Sequence, residues 1–163
     1  MQVPPDPPLL PQSGRFDGTR HLFAVRVYFE DTDHSGVVYH ANYLRWFERA
    51  RSDMLRLLGI DQRAANDAGE GAYAVTDLSI RYLRPAKLDD AVTIVSETTG
   101  VTAATCSLRQ TAWRGADKLA EAQVRAAFVA PNGRPRRQKR EWVAAFTTVL
   151  VSPDPATESV APA

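Results

Sequence analysis

Hydrophobic and polar residues alternate along this chain with two different periods. Residues 21–29 combine β-branched and aromatic residues in a pattern that is typical of a strand. After a polar stretch, the period changes to the three-to-four spacing of a helix over residues 40–58. Four further runs alternate with period two, as strands with one wet and one dry face do. These runs are residues 74–82, 92–97, 106–112 and 121–128.

The helical segment has the clearest periodicity. Its apolar stripe advances by alternating steps of four and three residues, and it includes Tyr43, Phe47, Ala50, Met54 and Leu57. Leu44, Leu55 and Leu58 widen the stripe, which indicates a helix covered on more than one side. Gly59 supplies the expected stop.

This order of elements predicts an α+β fold. One strand and one long helix are followed by a short polar or helical passage, residues 61–70, and then by four strands. A single long helix suffices to cover one face of a five-stranded antiparallel sheet. We therefore expect a five-stranded antiparallel sheet wrapped around one central helix.

The prolines predict where this domain begins and ends. Eight of the 11 prolines lie near the two ends, where they remove backbone donors and favour extended chain. We expect a disordered Pro-rich extension over residues 1–20, a folded domain over residues 21–149 and a disordered tail over residues 150–163.

Composition narrows the functional classes. The net charge is +1, and 44% of the residues are hydrophobic, which argues against nucleic acid as the main partner and against general disorder. Cys106 is the only cysteine, so an intrachain disulfide is excluded and a reducing, cytoplasmic location is expected. The sequence contains no apolar run of the ~18 residues that a membrane helix needs.

The polar stretch before the helix carries the candidate chemistry. It holds Asp31, Asp33 and His40 at a strand-to-helix junction, with Gly36 permitting a tight turn. The first turn of a helix has unpaired N–H groups and a partial positive charge, which polarise a carbonyl oxygen. A carboxylate nearby attacks that carbonyl or activates water. The structural alternatives are that Asp31 or Asp33 only caps the helix, and that His40 is a first-turn residue without a chemical role.

Other polar residues have simpler interpretations. His34 is expected to face solvent, and His21 has no evident partner. Glu48 lies within the helix as a candidate acid, but neighbouring arginines favour a salt-bridged or solvated role. The histidines and Cys106 lack zinc-type spacing, so neither a metal nor a cofactor is expected.

The segment YFEDTDHSGVVYHANYLRWFERARSDMLR resembles the signature of the hotdog-fold acyl-CoA thioesterases of the 4-hydroxybenzoyl-CoA thioesterase class. It is most similar to the branch associated with the bacterial Tol-Pal system. The resemblance in sequence continues through residues 80–90. The order of predicted elements over residues 21–149 is also similar to that of this class. It implies a thioesterase that hydrolyses short- or medium-chain aliphatic or aroyl-CoA.

The resemblance also implies roles for individual residues. Asp33 matches the catalytic carboxylate, either as nucleophile or as general base, and the backbone N–H of His40 matches the group that polarises the thioester carbonyl. The resemblance also implies that the His40 side chain takes part in catalysis beside this carboxylate. We expect the substrate to be bound by Gly36, Val38, Tyr39, Tyr43, Arg84 and Lys87.

The resemblance further implies subunits that pair through their sheets, with the active site between subunits in a dimer or a homotetramer. Coenzyme A phosphates need cations, and the candidates are Arg84, Lys87 and the basic run over residues 134–140. The structural alternative for the basic run is a solvated tail. Two other functions stay open: hydrolysis of acyl-carrier-protein thioesters, and a non-catalytic hotdog module for binding or scaffolding in lipid or cell-envelope metabolism.

Overall fold

The structure is a computed structural model that describes residue 7 and residues 9–152. These residues form six strands: β1 (Arg15–Asp17), β2 (Arg20–Arg26), β3 (Ala72–Tyr82), β4 (Ala91–Val101), β5 (Thr105–Arg114) and β6 (Asp117–Val129). The strands form one antiparallel sheet in the order β1-β2-β4-β5-β6-β3. Helix α1 (His40–Leu57) lies against the sheet. The α+β hotdog class is confirmed, whereas the expected strand number of five is wrong by one.

The additional strand changes the domain boundary at the N-terminus. β1 pairs with β2, with Phe16 opposite His21, so residues 15–17 belong to the folded domain and not to a disordered extension. The expected start at residue 21 is therefore too late. The three residues of β1 are too few to show an alternation of apolar and polar positions. They form a strand because they pair with β2. The disorder expected for residues 1–6 and 8 falls outside the described residues.

The C-terminal boundary also moves. Leu150 forms a parallel bridge with Thr98, and the Val151 N–H donates to the Thr98 carbonyl at 2.9 Å. Residues 150–151 are thus attached to β4, where a disordered tail was expected. The rest of the expected tail, residues 153–163, lies outside the described residues.

Helix α1 follows the predicted pattern. Tyr43, Phe47, Ala50 and Met54 are buried as expected, whereas Leu57 is exposed at the last turn. Gly59 adopts a positive φ of 75° just after the helix, the conformation that favours glycine at a helix end. The N-terminal half of α1 packs with Val92, Ile94 and Val124 of the sheet in a core beneath the loop that precedes the helix.

A second core lies at the other end of α1. Helix α2 (Gln62–Asp67) follows α1, and helix α3 (Arg140–Thr148) closes this end with buried Trp142 and Phe146. No helix was expected at α3, because its start lies in the basic run over residues 134–140. Lys139, at the end of that run, pairs with Glu70 and lies over the Trp142 ring at 5.2 Å. The run is also held along its length: Pro135 forms an isolated bridge with Val129, and the Arg136 N–H donates to the Phe128 carbonyl at 2.8 Å. Its basic side chains are nevertheless mostly exposed.

His21 has a buried partner that the sequence did not indicate. Its Nε2 lies 2.7 Å from the Asp53 carboxylate on α1, and both side chains are almost completely buried. Asp53 also accepts hydrogen bonds from the Gly14 N–H at 2.9 Å and from Ser13 Oγ at 3.0 Å. One buried carboxylate thus holds the segment before β1 and strand β2 against α1.

Candidate active site

The loop between β2 and α1 is folded back on itself by backbone hydrogen bonds. A 3₁₀ turn over Phe29–Asp31 leads into it. The Asp33 N–H then donates to the Val37 carbonyl at 3.0 Å, and the Tyr39 N–H donates to the Asp31 carbonyl at 2.8 Å. These two bonds place the middle of the loop beside the first residue of α1.

Asp31 connects this loop to the helix, although it is not the helix cap that the sequence suggested. Its carboxylate accepts from the Tyr28 N–H at 2.7 Å and from Asn42 Nδ2, in the first turn of α1, at 2.8 Å. The residue at the N-cap position is Tyr39. Asp31 therefore has a positioning role, and Asn42 is a site residue that sequence reasoning missed.

Asp33 is the exposed carboxylate at the tip of the loop. Its Oδ1 accepts hydrogen bonds from the Ser35 N–H at 2.8 Å and from Ser35 Oγ at 2.5 Å. These bonds hold the pKa of Asp33 below its ordinary value, with smaller electrostatic contributions from His34 and His40, while slight desolvation opposes them. Asp33 is thus a fixed, ionised carboxylate at neutral pH, within electrostatic range of His40.

Gly36 makes the turn that closes the loop. Its φ is 80°, in the left-handed region, and its N–H donates to the Asp33 carbonyl at 3.0 Å. A Cβ at this position would meet no atom within 4 Å, so the backbone conformation and not a lack of space favours glycine.

His40 is the first residue of α1, and its N–H belongs to the helix end. Tyr39 makes no side-chain cap, and the first turn carries no acidic residue. In this turn the Asn42 N–H donates to the Tyr39 carbonyl at 2.9 Å, whereas the His40 N–H, at the first helical position, has no intrahelical acceptor. The helix dipole gives this end a partial positive charge. The helix end is therefore suited to polarising a substrate oxygen.

Aromatic rings surround the His40 side chain. The exposed Tyr39 ring lies 4.5 Å from the imidazole and the Tyr82 ring 6.1 Å from it, centre to centre. Tyr82 Oη also donates to the His40 carbonyl at 2.8 Å, which ties the end of β3 to the start of α1. Sequence reasoning placed Tyr82 only on a strand, because its contact with His40 spans 42 residues.

Val38 and Tyr43 lie beneath the site and not at its surface. Both are buried, and Val38 is fixed by its N–H, which donates to the Ala86 carbonyl at 2.9 Å. Burial raises the pKa of Tyr43, whose ring packs 5.6 Å from that of Tyr82. These two predicted binding residues form the floor of the site, whereas Gly36 and Tyr39 are exposed at its surface.

Arg84 and Lys87 lie on the segment that follows β3. Lys87 pairs with Val37 in an isolated antiparallel bridge, so this segment runs directly beside the loop. Arg84 is exposed, and its guanidinium reaches the Lys118 carbonyl at 3.4 Å. Both cations are therefore at the edge of the site.

Glu48 lies two helical turns from His40 and forms an ion pair with Arg51. The salt-bridged interpretation of Glu48 thus agrees with the structure. Among the described residues, no group of three or more His, Cys, Asp or Glu side chains is arranged to hold a metal ion. None of the described helices is long and apolar enough to span a membrane.

Comparison with known proteins identifies the family. The sequence profile of the thioesterase superfamily matches residues 35–121, which include Gly36, His40 and Tyr82. The chain belongs to this superfamily. The acyl-CoA thioesterase YbgC of Haemophilus influenzae is 44% identical over 107 residues, covering 66% of this chain and 79% of that protein.

Two further proteins are similar to this chain over about three quarters of its length. The acyl-CoA thioester hydrolase YbgC of Escherichia coli O6:H1 is 39% identical over 130 residues, which are 78% of this chain and 96% of that protein. The crystal structure of a probable thioesterase from Bartonella henselae has a TM-score of 0.69 at 36% identity, covering 74% of this chain and 99% of the other.

Proposed function

We propose that this protein hydrolyses acyl-CoA thioesters to a free acid and coenzyme A. The observation that carries the proposal is the pairing of two features within eight residues of chain. The Asp33 carboxylate is held ionised at the tip of the loop, and the loop returns directly to the uncapped N-terminus of α1 at His40. The relatives named YbgC, which are acyl-CoA thioesterases, support the same activity.

The proposed reaction begins with the thioester oxygen bound at the His40 N–H. Hydrogen bonding to that oxygen withdraws electrons from the carbonyl carbon and stabilises the negative charge that develops during attack. The C–S bond then breaks, coenzyme A leaves as a thiolate and takes up a proton, and one water supplies the oxygen of the new acid. A thiolate is a good leaving group, so one carboxylate and one helix end suffice.

Asp33 has one of two roles in this scheme. As a nucleophile it forms an anhydride with the acyl group, which water then cleaves. As a general base it removes a proton from the attacking water. Either role requires the ionised carboxylate, which the Ser35 hydrogen bonds favour. We propose that the His40 side chain acts beside the carboxylate, because its electrostatic effect also lowers the pKa of Asp33 and so favours the ionised form.

We further propose that the active enzyme is a cytoplasmic homo-oligomer, a dimer or a dimer of dimers, with the site between subunits. Strand β3 is 11 residues long and lies at an edge of the sheet, where its backbone groups remain available for pairing. Phe29 and Tyr28, just before the catalytic loop, are 81% and 64% exposed, and a second subunit would cover them. Gly36, Tyr39, Arg84 and Lys87 would then contact the acyl-CoA.

A carrier-bound substrate is the second candidate. The basic run over residues 134–140 is largely exposed, which favours an acidic partner such as an acyl carrier protein. We also propose an association with the Tol-Pal system. This proposal rests on the resemblance of the sequence to the thioesterase branch associated with that system.

Thiol release from a panel of acyl-CoA and acyl-carrier-protein thioesters tests the function. We expect the full-length protein to release free coenzyme A from at least one acyl-CoA. Faster release from carrier-bound acyl groups would favour the second candidate. No release from any thioester by folded protein would refute hydrolysis and favour a binding module.

A further inference from the structure

Residues 85–90, the supporting segment, belong to the connection from β3 to β4 and run beside the loop between β2 and α1. The segment holds this loop at two points. The Ala86 carbonyl accepts from the Val38 N–H at 2.9 Å, and Lys87 pairs with Val37 in an isolated antiparallel bridge. The backbone of the loop is therefore placed by the backbone of the segment.

Val37 and Val38, the two residues held in this way, lie between the two features of the proposed active site. The Val37 carbonyl also accepts from the Asp33 N–H at 3.0 Å. Val38 stands two residues before His40, whose N–H is the proposed donor to the thioester oxygen. A shift of the supporting segment would therefore change the distance between the Asp33 carboxylate and the helix end.

One arginine closes the supporting segment by binding both of its ends. Arg114 is the last residue of β5, and its Nη1 donates to the Pro85 carbonyl at 3.2 Å and to the Asp90 carboxylate at 3.0 Å. The same Asp90 oxygen accepts from the Lys87 N–H at 2.9 Å. Arg114 Nη2 lies 3.4 Å from the Asp117 carboxylate, so the guanidinium is also held from β6. A rigid fork of charged donors is suited to joining acceptors in this way.

The turn within the supporting segment has a backbone conformation that needs restraint. Asp89 has a φ of 69° and is, among the described residues, the only non-glycine residue with a positive φ. Val27, just after β2, holds one side of the turn: its carbonyl accepts from the Asp89 N–H and its N–H donates to the Asp90 carbonyl, both at 3.0 Å. Arg114 holds the other side. Without its guanidinium, the segment loses the contact that joins Pro85 to Asp90.

We propose that Arg114 and Asp90 are positioning residues for the hydrolysis proposed above, on which this inference rests. Their ion pair fixes the supporting segment and so sets the distance between the Asp33 carboxylate and the His40 N–H. The printed contacts that carry this role are to the protein backbone and to Asp117, so Arg114 acts through the loop and not on the substrate.

Kinetics of Arg114→Gln test the proposal. Glutamine keeps a polar side chain but loses the charge and the reach across two acceptors. A displacement of about 1 Å in an active site costs up to ~100-fold in rate, so we expect kcat to fall by about tenfold or more, with a smaller change in KM. A rise in KM with kcat unchanged would overturn the positioning role.

Arg109→Gln is the matched control. Arg109 is on the same strand, its side chain is 40% exposed beside 35% for Arg114, and it pairs with Glu97 of β4 at 2.9 Å. Glu97 is in the middle of β4 and not in the supporting segment. The control should keep the kcat of the unaltered protein. Equal values of kcat for the two variants would overturn the proposal.

The pH profile separates positioning from a direct effect of charge. Hydrogen bonds from Ser35, with electrostatic effects of His34 and His40, lower the pKa of Asp33. The acid limb of the kcat/KM–pH profile should therefore stay in place in Arg114→Gln while kcat falls at every pH. A limb that moves to higher pH would mean that the guanidinium acts on Asp33 by its charge, and positioning would be wrong.

Variants of the partner residue test whether the ion pair acts as a unit. Asp90→Asn keeps an oxygen that accepts from the Lys87 N–H, whereas Asp90→Ala removes it, so the asparagine variant should retain more of kcat. The double variant Arg114→Gln/Asp90→Ala should lose no more than Asp90→Ala alone, because both changes break one pair. Losses that multiply would contradict a shared role. If Arg114→Gln does not fold, Arg114→Lys, which keeps the charge but not the fork, replaces it and should lower kcat by a smaller factor.

Hydrogen–deuterium exchange of the full-length protein keeps the two proposals distinguishable. If no acyl-CoA is hydrolysed, the proposed function fails, and the loop amides still report on the supporting segment. The Asp33 and Val38 amides, which are hydrogen-bonded, should exchange about tenfold faster or more in Arg114→Gln than in the unaltered protein or in Arg109→Gln. Unchanged exchange of both amides in Arg114→Gln would overturn the inference whether or not the protein is active.

Discussion

Asp53 is a buried carboxylate on α1, and its hydrogen bonds within the described residues go to the N-terminal part of the chain, while Arg56 Nη1 lies 3.8 Å from Oδ1. It is 4% exposed and accepts from Ser13 Oγ, the Gly14 N–H and His21 Nε2 at 3.0, 2.9 and 2.7 Å. We predict that Asp53→Ala lowers the free energy of unfolding more than any exposed Asp→Ala change. The reason is that His21, which is fully buried, loses its partner and cannot regain water.

The magnitude follows from these contacts. A hydrogen bond to a charged group contributes about 1.5–3 kcal/mol, and breaking a buried pair costs about 3–5 kcal/mol. Ser13 and Gly14 return to water, so most of the cost comes from His21, whose Nδ1 already has no hydrogen-bond partner among the described residues. We expect a loss of about 3–4 kcal/mol, which lowers Tm by roughly 10 °C.

The same variant changes the pH dependence of stability. Burial lowers the pKa of His21 below 6.5, and Asp53 opposes this effect. An unfolded chain therefore binds more protons than the folded one below pH 6.5, so His21 stabilises the fold above that pH and its contribution is lost as the pH falls. Without Asp53 the folded pKa is lower still, and the loss on acidification becomes larger.

Urea unfolding followed by tryptophan fluorescence measures both effects at one fixed protein concentration. Asp17→Ala is the matched control, because Asp17 pairs with Arg20 at 2.8 Å at the surface and should cost less than about 1 kcal/mol. A loss for Asp53→Ala no larger than that of the control would refute the argument that this carboxylate anchors the segment before β2.

Two further predictions concern the loop between β2 and α1, which carries the proposed catalytic carboxylate. Ser35→Ala removes the hydrogen bond that most lowers the pKa of Asp33, so the acid limb of the kcat/KM–pH profile should move to higher pH; an unmoved limb would mean that Asp33 does not limit the rate there. Gly36→Ala forces a side chain onto a φ of 80°, and the resulting displacement of Asp33 should lower kcat by about tenfold. Gly133→Ala imposes the same strain at φ 81° in a distant turn and should leave kcat unchanged, as kinetic assays of both variants will test.

The sequence predicts the elements whose patterns are local. Helix α1 has a long apolar stripe, and the four strands after it alternate regularly, so their positions agree with the structure. β1 could not be predicted, because three residues are too few to show a hydrophobic period. α3 could not be predicted, because its start lies in a run of basic residues. Trp142 and Phe146, four residues apart, were the available signal for α3.

The candidate site was predictable only in part for the same reason. Asp33, Gly36 and His40 are close in sequence, so a motif identifies them together. Tyr82 and the His21–Asp53 pair depend on contacts across 42 and 32 residues, which no local pattern encodes. Asp31 looked like a helix cap, and only the folded loop reveals that it binds Tyr28 and Asn42.

The most direct test of the central claim is kcat/KM of Asp33→Asn for the best acyl-CoA, measured by thiol release beside Asp17→Asn and the unaltered protein. Asparagine is nearly isosteric with aspartate and Asp33 is exposed, so the circular dichroism spectrum and Tm should not change. We predict a fall in kcat/KM of about 10²–10⁴-fold for Asp33→Asn alone. A folded Asp33→Asn protein that retains the activity of the Asp17→Asn control would contradict the assignment of Asp33 as the catalytic carboxylate.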